Sequence, residues 1–496
     1  MMKYVKVPQS ITASELMGNH YYYAPSKYSA FYPKDKSRFE ILAKLVDVKS
    51  EREVVNSDLK YKYVEIGDVD TNTGSIDYKE VFGIFVPNKR PLRISKGDIL
   101  VSTVRTYRKG IGYVNSSASN IVSTSAFLVF HQLKKGLTPE YLLAVLRSDF
   151  FVEQILSFQN RGMYPRLDGE TIDSVYIPLP TKNQLDYLTV LQRALINKQE
   201  ELKRKHASIL EIIKKELLGN QGKEKFVYTQ PDIKELEKSI RFDAGYYCES
   251  YKHKQFLLKN YIYSAKPIEG KEGWGYEIKR GQNLQESAIG KILESDTAKT
   301  GFYKVIRPTN FSDFGTISYY SYLGNSNQLS VLEPGDIVFS GEGTVGKCVL
   351  FVNPSDKAIT NIHGIVLNKK DHNVEESSYV ACFLRFLKQW GFFEYISVGG
   401  QGGSLAMRYW KDVQIPIFPS TKRKEIAQLY CNNVDYESVA VDEVTSFLEL
   451  DDKWNQKAGI IQIDEMSKKI QAEIDQVINQ VVLGAEINPS FKFLLD

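Results

Sequence analysis

The sequence predicts an α+β protein: two copies of one mixed α/β domain, separated by long helices that pair as an antiparallel coiled coil. Three observations carry this expectation. An internal repeat keeps one offset from residue 97 to residue 178, a helical stretch with a seven-residue apolar period follows the first copy, and a shorter version of that stretch recurs near the C-terminus.

The repeat comes first because it sets the domain count. "GDILVSTVRTYRKGIGYVNSSASNI" from Gly97 lies on "GDIVFSGEGTVGKCVLFVNPSDKAI" from Gly335 at an offset of 238. The offset pairs Gly97/Gly335, Asp98/Asp336, Ile99/Ile337, Ser102/Ser340, Lys109/Lys347, Val114/Val352, Asn115/Asn353 and Ile121/Ile359, then Tyr141/Tyr379, Arg147/Arg385, Leu167/Leu405 and Pro178/Pro416. Upstream, "NHYYYAPS" from Asn19 matches "DAGYYCES" from Asp243 at a smaller offset, which implies an insertion of about 14 residues in the second copy. So long a period means a duplicated domain rather than a solenoid.

Within each copy, short β-rich runs ("GDILVSTV", "IGYVN", "SAFLVF"; "GDIVFS", "CVLFVN", "GIVL") bounded by Gly, Asn, Ser and Pro predict a compact sheet. A helix is expected after Thr138 and Pro139, with Leu142, Val145, Leu146 and Phe150 on one face, and its counterpart in "SSYVACFLRFLKQWGFFEYI". A polar loop then leads to a last strand, "VYIPLP" or "VQIPIF".

Between the copies, Thr181 opens a stretch with no Pro or Gly until Gly219; Thr181 and Gln184 form a capping box and Gly219 a stop. Leu188, Leu195, Leu202 and Ile209 recur every seven residues, a seam that needs a partner helix. At about 1.5 Å per residue the helix would be roughly 55 to 60 Å long. The C-terminal "EIDQVINQVVLG" aligns on "SILEIIKKELLG" at offset 265, setting Ile474 on Ile209 and Val477 on Ile212, so the second helical region carries about 27 extra residues, including the acidic "VDEVTSFLELDD".

Composition excludes several classes. A chain of 496 residues, 43% hydrophobic and 25% charged, can build several cores. It has no apolar run of membrane-spanning length and no signal-peptide core, so a cytoplasmic location is expected. Cys248, Cys348, Cys382 and Cys431 lie far apart without a nearby His at ligand spacing, which points to reduced thiols and no metal. The net charge of +4 permits nucleic-acid binding without requiring it.

The order of domain, long helix, domain, long helix, together with "RFDAGYY" (241–247), "GDIVFSGEGTVGK" (335–347), "GDILVSTVR" (97–105) and "IPLPTKNQ" before the central helix, resembles the specificity (S) subunit of bacterial type I restriction-modification systems over nearly the whole chain. The resemblance implies residues 1–180 as target recognition domain 1, 181–222 as the central conserved helix, 223–419 as target recognition domain 2 and 420–496 as a helical region pairing with the central helix. It further implies a non-catalytic subunit that reads a bipartite, asymmetric site in double-stranded DNA and docks two modification (methyltransferase) subunits, with restriction subunits as further partners. No cofactor is expected on this chain; S-adenosylmethionine belongs to the modification subunit. The runner-up is a same-fold specificity subunit serving a modification-only or other phage-defence complex.

The DNA-facing positions expected on this reading are Arg105, Tyr107, Arg108, Lys109, Arg161, Tyr164 and Arg166 in the first copy, and Glu342, Thr344, Lys347, Gln401, Ser404 and Arg408 in the second. Arg suits guanine or phosphate, Gln suits adenine, and Glu can accept from cytosine N4; the bland reading of each charge is a solvated surface. The helix interface is expected at Leu188, Leu195, Leu202, Ile209, Ile474 and Val477.

Enzymatic alternatives make demands that the sequence does not meet. "SGEGTVGK" (340–347) has G-x-G-x-x-G spacing, but at offset 238 its glycines face Thr103, Arg105 and Arg108, so the run reads as a turn between strands with the lysine as a phosphate contact. Cys348 follows Lys347 where a phosphate-binding loop needs Ser or Thr. "NPSF" (488–491), the nearest text to a methyltransferase loop, lies in what reads as a flexible tail, and Asp232 is 45 residues from Glu277, which opens the Glu277-Ile278-Lys279 run, too remote for a compact nuclease motif.

Overall fold

The computed structural model describes residues 3–18, 28–158, 167, 169–399, 403–436 and 444–495. These fall into two compact units: residues 1–200, 436–454 and 466–496 form the first, and residues 201–435 and 455–465 the second.

In the first unit, β1 (Phe39–Ile41) pairs with a strand at Tyr176–Pro178, and two four-stranded sheets lie between them in sequence. One sheet holds β2 (Asp47–Val48), β6 (Ile99–Ser102), β7 (Ile111–Tyr113) and β9 (Phe127–His131) in the order β2-β9-β6-β7. The other holds β3 (Lys60–Val64), β4 (Lys79–Phe82), β5 (Leu92–Arg93) and β8 (Ile121–Ser123) in the order β4-β3-β8-β5, with β3 and β8 parallel. Val64, Leu92, Leu100, Ile121 and Val129, drawn from both sheets, share one buried core. Each such side chain contributes roughly 1.5–3 kcal/mol through burial. All four residues of β6 are buried, which explains its unbroken apolar run.

With β10 assigned to Tyr176–Pro178, the second unit repeats the plan. β11 (Ala265–Pro267) pairs with β20 (Gln414–Pro416). One sheet runs β12-β19-β16-β17, built from β12 (Tyr276–Arg280), β16 (Ile337–Ser340), β17 (Cys348–Leu350) and β19 (Gly364–Lys369). The other runs β13-β15-β14-β18, from β13 (Ile292–Ser295), β14 (Tyr303–Ile306), β15 (Ser321–Asn325) and β18 (Ala358–Thr360). The insertion expected in this copy supplies the edge strand β13.

Repeated bonds explain why particular residues recur. Gly97 and Gly335 have φ of 96° and 92°, and the next residue, Asp98 or Asp336, accepts from a backbone N–H three residues back, Ser95 or Glu333. Gly-Asp is therefore the turn that launches the central strand. Tyr141 and Tyr379 each donate a 2.7 Å hydrogen bond to the carbonyl of Pro178 or Pro416, fastening helix to last strand.

The helix expected after Thr138 forms with Thr138 as N-cap, but it breaks at Ser148 into Pro139–Arg147 and Asp149–Phe158. Its counterpart, Val374–Gln389, is continuous.

The central helix is Lys182–Gly219, and both arms of its capping box are made: Thr181 N–H donates to Gln184 Oε1 and Gln184 N–H to Thr181 Oγ1. The extra C-terminal residues break the second helix in two, Val444–Lys457 and Ile460–Leu483. In the first unit, Tyr187 donates to Glu473 and Gln184 to the Ala485 carbonyl, so Ile460–Leu483 runs opposite to the central helix. The helix Val444–Lys457 runs with the central one: Phe447 stacks on Phe491, which meets Tyr187, while Asp451 meets Lys198. The coiled coil thus gains a third strand.

That third strand makes the Lys198–Asp451 ion pair at 2.6 Å, with both side chains wholly buried, and Lys198 Nζ lies 4.7 Å from the centre of the Trp454 ring. The tail is not flexible as its sequence suggested. Phe491 packs between Phe447 and Tyr187, and the Ser490 carbonyl accepts from Tyr187.

Candidate nucleic-acid interface

The hairpin that follows each Gly-Asp-Ile run carries most of the sequence-predicted contact residues. In the first copy it joins β6 to β7 through a single 3-10 turn, Thr106–Arg108, flanked by Arg105 and Lys109, both left-handed at φ 51° and 59°. Thr106 Oγ1 donates to the Ser102 carbonyl at 2.6 Å and Ser102 Oγ to the Val104 carbonyl, so the turn is held from below. Arg105 and Arg108 are exposed, while Tyr107 and Lys109 are half-buried. Lys109 Nζ lies 3.0 Å from Asp149.

In the second copy the same hairpin joins β16 to β17, and its left-handed positions are Gly343 and Gly346, at φ 74° and 96°. Here the ladder corrects the alignment. Ile99 faces Tyr113 but Ile337 faces Leu350, so from the turn through the next strands the copies match at 350 − 113 = 237, and 238 returns by the helix that carries Tyr141 and Tyr379. The ladders to β9 and β19 agree, with Ile99 opposite Phe130 and Ile337 opposite Leu367. The missing residue lies between the left-handed stations: three residues separate Arg105 from Lys109, two separate Gly343 from Gly346. Gly346 therefore stands where Lys109 does, and Lys347 is not its positional equivalent. Lys347 Nζ instead meets Asp313 at 3.0 Å and the Phe311 carbonyl at 3.2 Å.

A left-handed residue with a side chain carries a steric cost of roughly 1–2 kcal/mol that glycine escapes. The first copy bears that cost twice and so presents Arg105 and a lysine from the turn. The "SGEGTVGK" run is thus a hairpin, with glycines at its left-handed stations.

Around that hairpin the second unit gathers Glu342, Thr344, Lys347 and Ser404. Glu342 and Ser404 form a β-bridge, and the Gly343 N–H donates to the Gly403 carbonyl. Thr344 and Lys347, with Lys388, Phe393 and Ser397, line a cleft of about 460 Å³. Both Glu342 oxygens are engaged, one by Arg280 at 2.8 Å and one by His363 at 2.6 Å, and His363 leads the contacts that hold this carboxyl below its ordinary value. Arg408 is exposed and donates to the Tyr409 hydroxyl. In the first unit the Leu167 N–H bonds the Thr103 carbonyl, as Leu405 bonds Gly341. Arg161, Tyr164, Arg166 and Gln401 lie outside the described residues. Leu188, Leu195, Leu202, Ile209, Ile474 and Val477 are all buried, none more than 4% exposed.

The sequence reading gave no role to the residue that braces the first hairpin. Arg147 donates to the Lys109, Ile111 and Thr71 carbonyls, and burial lowers its pKa to about 10. Left-handed Gly74 leaves it room, because a Cβ there would come within 3.0 Å of Nη1; Gly315 stands in the same relation to Arg385. An arginine kept in register inside an apolar helix face was the available signal.

Buried Cys348 and Cys382 have pKa values pushed up to about 11 and about 12 by burial, which keeps them as thiols. Among the described residues no cluster of three or more His, Cys, Asp or Glu could hold a metal, and no helix is long and apolar enough to cross a membrane.

A family model described as the type I restriction modification DNA specificity domain matches residues 39–218 and 275–430, well over half of the chain. No curated protein matches. Among solved structures, a chain from a study of complex assembly and conformational transition of the type I R-M system aligns at 16% identity, covering 90% of this chain and 97% of that one, with a TM-score of 0.31. The HsdS subunit from Thermoanaerobacter tengcongensis aligns at 16% identity over 90% of this chain and 97% of that one, TM-score 0.30. The S subunit from M. genitalium aligns at 13% identity over 89% and 95%, TM-score 0.39. On the match of the family model to both copies, the chain belongs to the type I restriction-modification specificity family and is a specificity subunit with a target recognition domain.

Proposed function

We propose that the chain recognises a bipartite, asymmetric site in double-stranded DNA, one half through each copy, and docks two modification subunits through its helical bundle. The observation that carries this reading is the pair of hairpins: the same ladders and left-handed stations, but different side chains between them. Such loops can read different bases from equivalent positions. Arg105 and Arg108 are the proposed contacts of the first hairpin, with Tyr107 beside them; Thr344, Ser404 and Arg408 serve the second. Lys109 and Lys347, already ion-paired, exchange carboxylate for phosphate on binding. Arg161, Tyr164, Arg166 and Gln401 belong to the same proposal by sequence. Glu342 acts first as the organiser of Arg280 and His363.

On this reading the chain transfers no methyl group and binds no cofactor, S-adenosylmethionine being held by the modification subunit in the cytoplasm. Restriction subunits complete the assembly. The test is long-read methylation sequencing of DNA from cells expressing the chain with its modification subunit. A split motif with different halves is expected, and a continuous palindrome would refute the proposal.

A further inference from the structure

The second unit contains another hollow, about 290 Å³, lined by His206, Ser312, Asp313, Lys347, Arg385 and Lys388. Lys347 and Lys388 line both this hollow and the cleft of the hairpin.

Its distinctive member is Arg385. The residue is 4% exposed, and its guanidinium lies 4.0 Å from the centre of the Tyr430 ring and is covered on another side by Gly315. Nη2 donates to Cys382 Sγ at 3.2 Å, but Nε and Nη1, both buried, meet no acceptor among the described residues. The duplication supplies a control. Arg147, the same residue of the first copy, spends its N–H groups on three carbonyls. Buried guanidinium donors without acceptors are costly, so Arg385, unlike Arg147, is left with an uncompensated buried charge. Nδ1 of His206 is likewise buried without a partner.

The charge around these donors is positive. Lys347 and Lys388 share one carboxylate, Asp313, at 3.0 and 3.5 Å. With Arg385 that makes three cations against one anion while His206 is neutral. We infer that this hollow binds an oxyanion of phosphate size, held by Lys388 and Lys347, with the buried guanidinium of Arg385 as the positive charge behind them. The shared chemistry is a tetrahedral oxyanion, supplied either as free phosphate or as a backbone phosphodiester of nucleic acid. The site stands independently of the bipartite-recognition reading. His206 supports it: burial, Arg385 and Lys388 lower its pKa to about 4 against the pull of Asp313, and a bound anion would raise it.

The experiment uses the full chain. Crystals soaked in sodium tungstate should show an anomalous peak in the hollow beside Lys347 and Lys388. In solution, sodium phosphate should raise the unfolding midpoint more than sodium chloride of equal ionic strength. Lys388→Ala, on a 35% exposed side chain, should weaken the phosphate effect about tenfold, as loss of one charge-assisted contact does. Arg385→Gln should abolish it; if that variant does not fold, Lys388→Ala carries the test. Repeating the soak with a DNA duplex identifies the source, since displacement of tungstate assigns the site to a backbone phosphate and retention to a free oxyanion. No tungsten in the hollow, or equal stabilisation by phosphate and chloride, overturns the inference.

Discussion

Replacing Lys198 with methionine isolates the charge of the buried pair on the third helix, because methionine keeps most of the stem. The Asp451 carboxylate, with no exposed surface, is then left facing an apolar neighbour, although it still accepts from the Tyr436 hydroxyl at 2.8 Å. Breaking a buried pair from one side costs about 3–5 kcal/mol. At roughly 2–4 °C per kcal/mol for a unit of this size, the unfolding midpoint should fall by about 10 °C. Asp451→Leu should cost somewhat less, since the stranded ammonium keeps the Trp454 ring at 4.7 Å, worth about 1 kcal/mol. The double variant K198M/D451L removes both desolvated charges; about 1–3 kcal/mol lost at the Tyr436 hydroxyl offsets an apolar gain of similar size, leaving stability near wild type. Burial lowers the Lys198 pKa, with Asp451 opposing, so between its folded value and the unfolded lysine value of about 10.4 only the unfolded chain holds the proton. Stability should rise with pH through that window in the wild type and not in K198M. Urea or thermal unfolding followed by circular dichroism reads all four proteins. A double variant as unstable as the summed singles would refute the reasoning.

Three further outcomes are expected. His206 has its folded pKa lowered to about 4 against an unfolded 6.5, so the stability it contributes is complete above pH 6.5 and falls by about 3 kcal/mol as the pH drops to 4; His206→Phe should flatten that slope in a pH series of unfolding curves. Gly459→Ala should destabilise by about 1–3 kcal/mol, because the new Cβ would lie 2.4 Å from the Asn432 nitrogen; an unchanged midpoint would mean that the break between the two C-terminal helices yields. Arg108→Ala should weaken binding of a duplex carrying the site and reduce the slope of log K against log salt by about one, and a variant with unaltered affinity and slope removes Arg108 from the interface.

The duplication, the central helix and its capping box were legible because each rests on a pattern that packing does not override. Turn glycines, the Thr181–Gln184 pair and a seven-residue apolar period all act locally. What escaped was decided by contacts distant in sequence. A lysine in a helix reads as solvated, yet Lys198 and Lys205 are buried, because Asp451 and the Gln456 carbonyl come to meet them. The acidic run ending at Asp452 likewise reads as a solvated face until its last two aspartates, Asp451 and Asp452, find Lys198 and Asn197. The one-residue slip between the copies was hidden by a coincidence, since Lys347 matches Lys109 in the letters but not in the ladder. Left-handed arginine and lysine, unlike left-handed glycine, leave no compositional trace.

That slip has a consequence for how such proteins change. Because the length difference is absorbed between two left-handed stations, the strands on either side keep their partners whether two or three residues intervene. A recombination event with breakpoints in the flanking strands would exchange the tip as a cassette and leave both ladders in frame. On the proposed reading of the tip as a DNA contact, new specificities can then arise by transplantation from one copy to the other, without a round of compensating change in the core.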